Sequence, residues 1–329
     1  MNYLLTGDVG GTKTLLRLLT KDGVPIYTGR YSMRDFKGLE GIVAQFLADV
    51  YRFCQLSAQP RVACLGVAGS IVDNKCHMVN LGWTLDSHKL ASDLGIERVV
   101  LINDFTAVGY GILGLDQGDL LTLQGGGNSP GTIGVIGAGT GLGEGFLIWQ
   151  QDRYVVYPSE GGHVDFAPRT AIEMELLKYL LSKYDRVSVE RVVSGQGIVN
   201  IYEFLWQYRQ GTGGEIYQAI LAQAPEVPAQ IAKAALEQTD PIAMETIGIF
   251  LDAYAAAVGN LALKLLSYGG IYVAGGILPK LIDLVDRERF LSTIKAKGRV
   301  SHLLDRVPFH IVLNPEVGLI GAGILGKTL

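Results

Sequence analysis

From Tyr3 the chain is apolar to Thr6, breaks at Gly7-Asp8-Val9-Gly10-Gly11-Thr12, and resumes as Thr14-Leu15-Leu16-Arg17-Leu18-Leu19. This spacing predicts strand, glycine-rich turn, strand. The same pattern returns downstream: Thr132-Ile133-Gly134-Val135-Ile136 leads into Gly137-Ala138-Gly139-Thr140-Gly141-Leu142-Gly143, and Phe146-Leu147-Ile148-Trp149 continues as the returning strand. Two hairpins with glycine tips predict an internal structural duplication. Between them the pattern predicts an amphipathic helix near residues 39–53, a strand over 62–67, a short helix near 88–94 and a strand over 99–102. After Pro168 the apolar positions take helical spacing, with Ile172, Leu176, Leu177, Leu180 and Leu181 on one face. Helices then dominate to about Leu266, broken at 211–214 and 225–228. Ile271-Tyr272-Val273-Ala274 reads as a short buried strand, Gly275-Gly276 as a turn and 278–285 as a helix. A strand over 310–313 and a helix from about Gly318 close the chain, and this last pair could return to the first domain, since both termini would otherwise lack sheet partners.

The chain has 329 residues, enough for about two domains at roughly 150 residues each. With 48% hydrophobic and 18% charged residues it has the composition of a well-buried globular protein, not of a disordered one. The net charge is −4 with no run of lysines or arginines, so the electrostatic footprint of a nucleic-acid binder is missing. An anionic ligand must therefore be held by local geometry. Glycine, at 43 residues, is about twice as frequent as usual without any repeating period, which points to loops that approach a ligand closely.

Three cysteines, Cys54, Cys64 and Cys76, form no CxxC pair, so neither a disulfide framework nor a zinc finger is legible and a reducing compartment is the simplest expectation. The N-terminus carries no basic signal-peptide region. The apolar stretch from Ile247 to Ile277 is interrupted by Asp252, Asn260 and Lys264, and reads as a buried helix followed by a strand, not as a membrane span. A cytoplasmic protein with no membrane contact is expected.

Two glycine strings are eliminated by context. Gly321-Ala322-Gly323-Ile324-Leu325-Gly326 matches a dinucleotide fingerprint, but only three residues follow it, so it reads as helix packing. The segment from Gly7 to Thr14 approximates a Walker A loop, yet Thr12 stands where a glycine is required and a strand follows. What remains is two glycine hairpins carrying Asp8, Thr12 and Thr140, whose backbone N–H groups and hydroxyls suit phosphate oxygens while Asp8 faces magnesium or its waters. A third loop at Gly275-Gly276 joins them.

Leu101-Ile102-Asn103-Asp104-Phe105 places a carboxylate at the end of an apolar strand and the start of a helix. The spacing by itself favours a helix cap; the functional alternative makes Asp104 a general base for an attacking hydroxyl. In Glu160-Gly161-Gly162-His163-Val164-Asp165-Phe166 an acid and an imidazole flank two glycines, so one bend can aim both at a small polar ligand. With one histidine and no cysteine nearby, metal coordination is disfavoured. Glu190, after Ser188, reads from spacing only as a helix-start acid.

These residues together are similar to a known family: the chain resembles the bacterial glucokinases outside the repressor-and-kinase sugar kinase family. The resemblance runs nearly end to end, through Gly7-Asp8-Val9-Gly10-Gly11-Thr12, Ile102-Asn103-Asp104-Phe105-Thr106-Ala107, Gly137 to Gly143, Glu160 to Phe166, Ser188-Val189-Glu190-Arg191-Val192 and Val273-Ala274-Gly275-Gly276-Ile277. It implies the actin-like ATPase (ribonuclease H-like) fold of the hexokinase superfamily, α/β in class, with a cleft between two domains. The smaller domain is expected over 1–108 plus 314–329 and the larger, helix-rich one over 109–313. The resemblance makes Gly7, Asp8, Val9, Gly10, Gly11 and Thr12 the first phosphate loop, Gly139, Thr140 and Gly141 the second, and Gly275 and Gly276 the adenosine loop. It makes Asp104 the catalytic base and assigns Asn103, Asp104, Glu160, His163 and Glu190 to glucose. Two departures stand out. No cysteine-rich zinc motif follows His163, so that imidazole is expected on sugar, and Lys13 occupies a position where the family usually carries asparagine.

The expected function is ATP-dependent phosphorylation of D-glucose to glucose 6-phosphate, with Mg2+ near Asp8, held through water, and a homodimer as the resemblance implies. The same motifs admit a kinase of another hexose such as fructose or mannose, and a sugar-sensing binding protein without catalysis. No nucleic acid is expected as a partner.

Overall fold

A computed structural model describes residues 3–78, 81–126 and 130–329. The chain divides into two compact units, one formed by Met1–Gly118 with Asn314–Leu329 and the other by Asp119–Leu313.

The first unit is built on a five-stranded sheet. Strand β1 (Tyr3–Val9) turns into β2 (Lys13–Thr20) and β3 (Pro25–Ser32), helix α1 (Leu39–Cys54) follows, and β4 (Pro60–Val67) returns beside β1. A small three-stranded antiparallel sheet, β5 (Ile71–Val72), β6 (Lys75–Met78) and β7 (Trp83–Asp86), leads into α2 (Ser87–Leu94), β8 (Arg98–Asn103) and α3 (Asp104–Gly111). The five strands lie in the order β3-β2-β1-β4-β8. β1 runs antiparallel to β2 and parallel to β4, and β4 parallel to β8. One face is covered by α1, which buries Leu39, Ile42, Val43, Phe46 and Val50, the i, i+3, i+4 spacing of a core-facing stripe.

The second unit repeats this plan with insertions. After β9 (Leu120–Gln124), strands β10 (Ile133–Ala138), β11 (Leu142–Gln150) and β12 (Arg153–Ser159) form a second meander. Helices α4 (Ala171–Leu181), α5 (Gly195–Tyr208), α6 (Glu215–Leu221), α7 (Val227–Leu236) and α8 (Pro241–Leu265) follow, then β13 (Gly270–Ala274), α9 (Arg287–Lys295) and β14 (Phe309–Val312). The sheet order is β12-β11-β10-β13-β14-β9. β11-β10-β13-β14 reproduces the β2-β1-β4-β8 arrangement, with one antiparallel pair and then parallel neighbours. The predicted duplication is therefore present in both sequence pattern and strand order.

Helix α8 carries the core of this unit: Ile247, Phe250, Tyr254, Val258 and Ala262 are buried along it. It is the one helix among the described residues long and apolar enough to cross a membrane, but 78% of its apolar window is buried inside the protein, as expected for a core helix. The final pair of elements separates. β14 stays in the second sheet, parallel to β13, and only α10 (Val317–Gly326) belongs to the first unit. The strand does not return with the helix: its apolar face is satisfied beside β13, where Ile271 pairs with Phe309. The glycines of α10 do serve helix packing, since a Cβ on Gly321 would lie 1.8 Å from the Ala107 carbonyl oxygen of α3. The segment 278–285 is helical but wound as 3-10, over Leu278–Leu284.

Candidate active site

In the first unit, strand register sets the acids. Val9, Val67 and Asn103 lie in one row across β1, β4 and β8, so Asp8 and Asp104 both sit at the same edge of the sheet, the carboxyl ends of parallel strands. The helix cap is Asn103, not Asp104: Asn103 Oδ1 accepts from the N–H groups of Phe105 at 2.9 Å and Thr106 at 3.1 Å. Asn103 Nδ2 donates to the Gly69 carbonyl at 3.2 Å and to Asp104 Oδ1 at 3.0 Å. Asp104 Oδ1 also accepts from Phe105 N–H at 2.8 Å, whereas no other described residue donates to Oδ2. One oxygen is anchored and the other is left for a ligand. Burial raises the Asp104 carboxyl above its ordinary range; the Phe105 N–H opposes this, and the Asp8 charge adds to it.

Asp8 stands next to the first glycine hairpin, which is closed by Gly10 N–H donating to the Lys13 carbonyl at 3.1 Å. Burial raises its carboxyl too, and the Lys13 cation pulls the other way. No hydrogen bond or ion pair from the described residues occupies it. Lys13, the departure seen in the sequence, therefore acts electrostatically on the hairpin acid.

In the second unit the glycine loops meet at one sheet edge. Gly139 to Gly141 join β10 to β11, with Gly139 N–H donating to the Gly141 carbonyl at 2.8 Å. Gly137 pairs with Ala274, so Gly275 and Gly276 leave β13 at the same level. Gly275 has φ +89°, and a Cβ there would fall 2.4 Å from the Ala138 carbonyl oxygen; only glycine fits. Tyr254 of α8 fastens both loops from below. Its hydroxyl accepts from Ala138 N–H at 3.0 Å and donates to the Ala274 carbonyl at 3.2 Å.

Glu160, His163 and Glu190 come together in the same unit. The chain from Val164 to Phe166 runs beside Val187 to Val189 through backbone bonds, Phe166 N–H to the Val187 carbonyl at 3.0 Å and Val189 N–H to the Val164 carbonyl at 2.9 Å. This brings His163 Nε2 to 3.7 Å from Glu160 Oε2 and His163 Nδ1 to 3.9 Å from Glu190 Oε1. Arg186 tethers the turn by donating to the His163 carbonyl at 2.6 Å and to Asp165 Oδ1 at 2.9 Å. The turn packs onto β11 so closely that a Cβ on Gly162 would lie 2.1 Å from the Leu142 carbonyl oxygen. An imidazole between two carboxylates, more than half exposed, offers donors and acceptors to a polyhydroxylated ligand.

Three supporting residues escape any reading of the sequence: Tyr254, Arg186 and Ser194, whose hydroxyl donates to the Glu190 carbonyl at 2.7 Å. None stands in a motif, and their partners lie far along the chain or in irregular backbone. Among the described residues no group of three or more His, Cys, Asp or Glu side chains could hold a metal ion unaided. A half-buried Asp8, with no hydrogen bond or ion pair from the described residues, does suit a hard cation that draws its other oxygen ligands from water and phosphate.

Comparison with known proteins adds the following. The sequence profile described as Glucokinase matches residues 5–329. The glucokinase of Nostoc sp. (strain PCC 7120) is 49% identical, with 100% of both chains covered. A crystal structure of glucokinase from an Antarctic psychrotroph superposes with a TM-score of 0.84 at 29% identity, covering 100% of each chain. A glucokinase of the ROK family from Streptomyces griseus, solved with glucose and AMPPNP, superposes with a TM-score of 0.66 at 20% identity over 100% of each chain, a likeness of fold. The fold is that of the actin-like sugar kinases. With paired glycine hairpins, an anchored aspartate at the strand edge and a full-length match at this identity, the chain belongs to the glucokinase family.

Proposed function

We propose that this protein transfers the γ-phosphoryl group of ATP to the 6-hydroxyl of D-glucose, with Asp104 as the general base. The observation that carries the reading is the state of Asp104: Oδ1 is fixed by Phe105 N–H and Asn103 Nδ2, and Oδ2 accepts from no other described residue. A carboxylate held in this way can orient a hydroxyl and take its proton as the attacking oxygen gives its electron pair to phosphorus. Its raised affinity for protons makes it a better base than an ordinary aspartate.

Glu160, His163 and Glu190 hold the ring hydroxyls, and Asn103 joins them by exchanging its Gly69 bond for a sugar oxygen. Gly7, Asp8, Val9, Gly10, Gly11 and Thr12, together with Gly139, Thr140 and Gly141, supply backbone and hydroxyl donors to the phosphates, with the adenosine on Gly275 and Gly276. Phosphoryl transfer asks the protein mainly for positioning and charge stabilisation. Asp8 is the residue that would hold Mg2+, through water; the ion supplies charge neutralisation on the phosphates. A homodimer in the cytoplasm completes the proposal.

The test is a coupled assay of glucose 6-phosphate formation with ATP and Mg2+, run on the wild type and on Asp104→Asn. Turnover should fall on the order of 10²-fold or more, with a modest change in the KM for glucose. Full activity in the variant would remove Asp104 from the mechanism. Turnover on fructose or mannose and not on glucose would move the specificity.

A further inference from the structure

Glu190 touches two parts of the second unit at once. Its Oε2 accepts from Leu142 N–H at 2.8 Å, the first residue of β11 after the glycine hairpin. Its Oε1 lies 3.9 Å from His163 Nδ1, in the cluster that also contains Glu160. The backbone around it is fastened to the same hairpin: Ser194 Oγ donates to the Glu190 carbonyl at 2.7 Å, and Gly195 N–H donates to the Gly139 carbonyl at 2.9 Å. The hairpin is thus gripped at both ends, at Gly139 by backbone and at Leu142 by the carboxylate. Gly141 clears the space, since a Cβ there would fall 2.5 Å from Glu190 Oε2.

We propose that Glu190 couples sugar occupancy to the geometry of the second glycine hairpin, so that glucose and nucleotide each strengthen the binding of the other. The inference rests on the reading of Glu160, His163 and Glu190 as the sugar-binding cluster. The Glu190 side chain is 28% exposed and its neighbour His163 is 54% exposed, so this face of the cluster is open to a ligand. A sugar hydroxyl donating to Oε1 holds the carboxylate in one rotamer. The same rotamer keeps Oε2 on Leu142 N–H and presents Gly139, Thr140 and Gly141 already ordered to a phosphate, which lowers the ordering cost of nucleotide binding. By linkage the nucleotide must tighten sugar binding by the same factor. The residue acts on the phosphates by positioning the hairpin, without touching them.

Calorimetric titration with glucose, in the presence and absence of AMPPNP and Mg2+, tests this on the wild type, Glu190→Ala, Glu190→Gln and Gly141→Ala. The wild type should bind glucose about fivefold or more tighter with the nucleotide present. In Glu190→Ala that ratio should fall to near one, beyond any loss of affinity itself. Glu190→Gln should restore the ratio in part: its amide oxygen accepts from Leu142 N–H at the same length, while its NH2 must donate to the sugar oxygen instead of accepting from it. Gly141→Ala, which displaces the carboxylate, should weaken glucose binding even without nucleotide, although residue 141 lies outside the sugar cluster. A wild-type ratio of one, an unchanged ratio in Glu190→Ala, or unchanged glucose affinity in Gly141→Ala would overturn the coupling. A wild type that binds no glucose would instead overturn the sugar reading, and the coupling with it.

Discussion

The Asn103 side chain donates to Asp104 Oδ1 at 3.0 Å while its own oxygen caps helix α3. One amide therefore starts the helix and aims the acid, and the two tasks can be separated by substitution. Asparagine and aspartate cap helices about equally well, but only asparagine donates a hydrogen bond. Asn103→Asp should keep α3 and place a second negative charge against Asp104. The acid limb of the kcat/KM profile should then move to higher pH, on the order of one unit, because Asp104 must be ionised to act. An acid limb that stays in place would show that this contact does not set the protonation of the base.

Asp8 is half-buried with no hydrogen-bond or ion-pair partner among the described residues, and its carboxyl is raised from 3.8 by desolvation, with Lys13 opposing. A group whose folded-state value is raised contributes its full stability below the unfolded value and loses it as pH rises through the folded one. Asp8→Asn should therefore unfold at a higher temperature than the wild type at pH 7, by about 2–4 °C for a domain of this size. The gap should close as pH falls toward 3.8, while kinase activity is lost throughout. Equal melting curves at pH 7 would show that ionised Asp8 carries no cost.

Tyr254 is fully buried and its hydroxyl serves Ala138 N–H and the Ala274 carbonyl together. Tyr254→Phe should leave both backbone groups unsatisfied and destabilise the protein by about 1–3 kcal/mol in denaturant unfolding. Because these groups support the two nucleotide loops, the KM for ATP should rise more than the KM for glucose. An equal rise in both would assign Tyr254 to general stability.

Cys54 is exposed, whereas Cys64 and Cys76 are buried, and burial pushes the Cys64 thiol up to about 12. A thiol reagent at pH 8 should label one cysteine in the folded protein and all three in denaturant. Rapid native labelling of a second thiol would show local opening at β4, if Cys64 reacts, or at the small sheet, if Cys76 does.

Local pattern determined more of this protein than its irregular parts suggest. Both glycine hairpins, α1, β4, α2 and β8 were legible, because each buries one face at the period of its own backbone. The edge strands β3, β9 and β12 and the small sheet of β5 to β7 were not: the edge strands are half-buried with weak alternation, and the strands of the small sheet are two to four residues long, too short for a period to show. The sequence also placed Asn103 and Asp104 at a helix start, but not which of them caps it.

Tertiary structure decided everything that joins distant residues. Phe309–Val312 carries an apolar pattern that suits either sheet, and pairing with β13 settled its place. Glu190 meets Leu142 across 48 residues, and Tyr254 meets Ala138 across 116. Neither contact leaves a period in the chain, because a hydrogen bond between remote segments depends on how whole elements pack. The sequence by itself determined the core elements with a clear period and, through its motifs, which family they build; packing of remote segments determined which oxygen of Glu190 is anchored and which is left for a ligand.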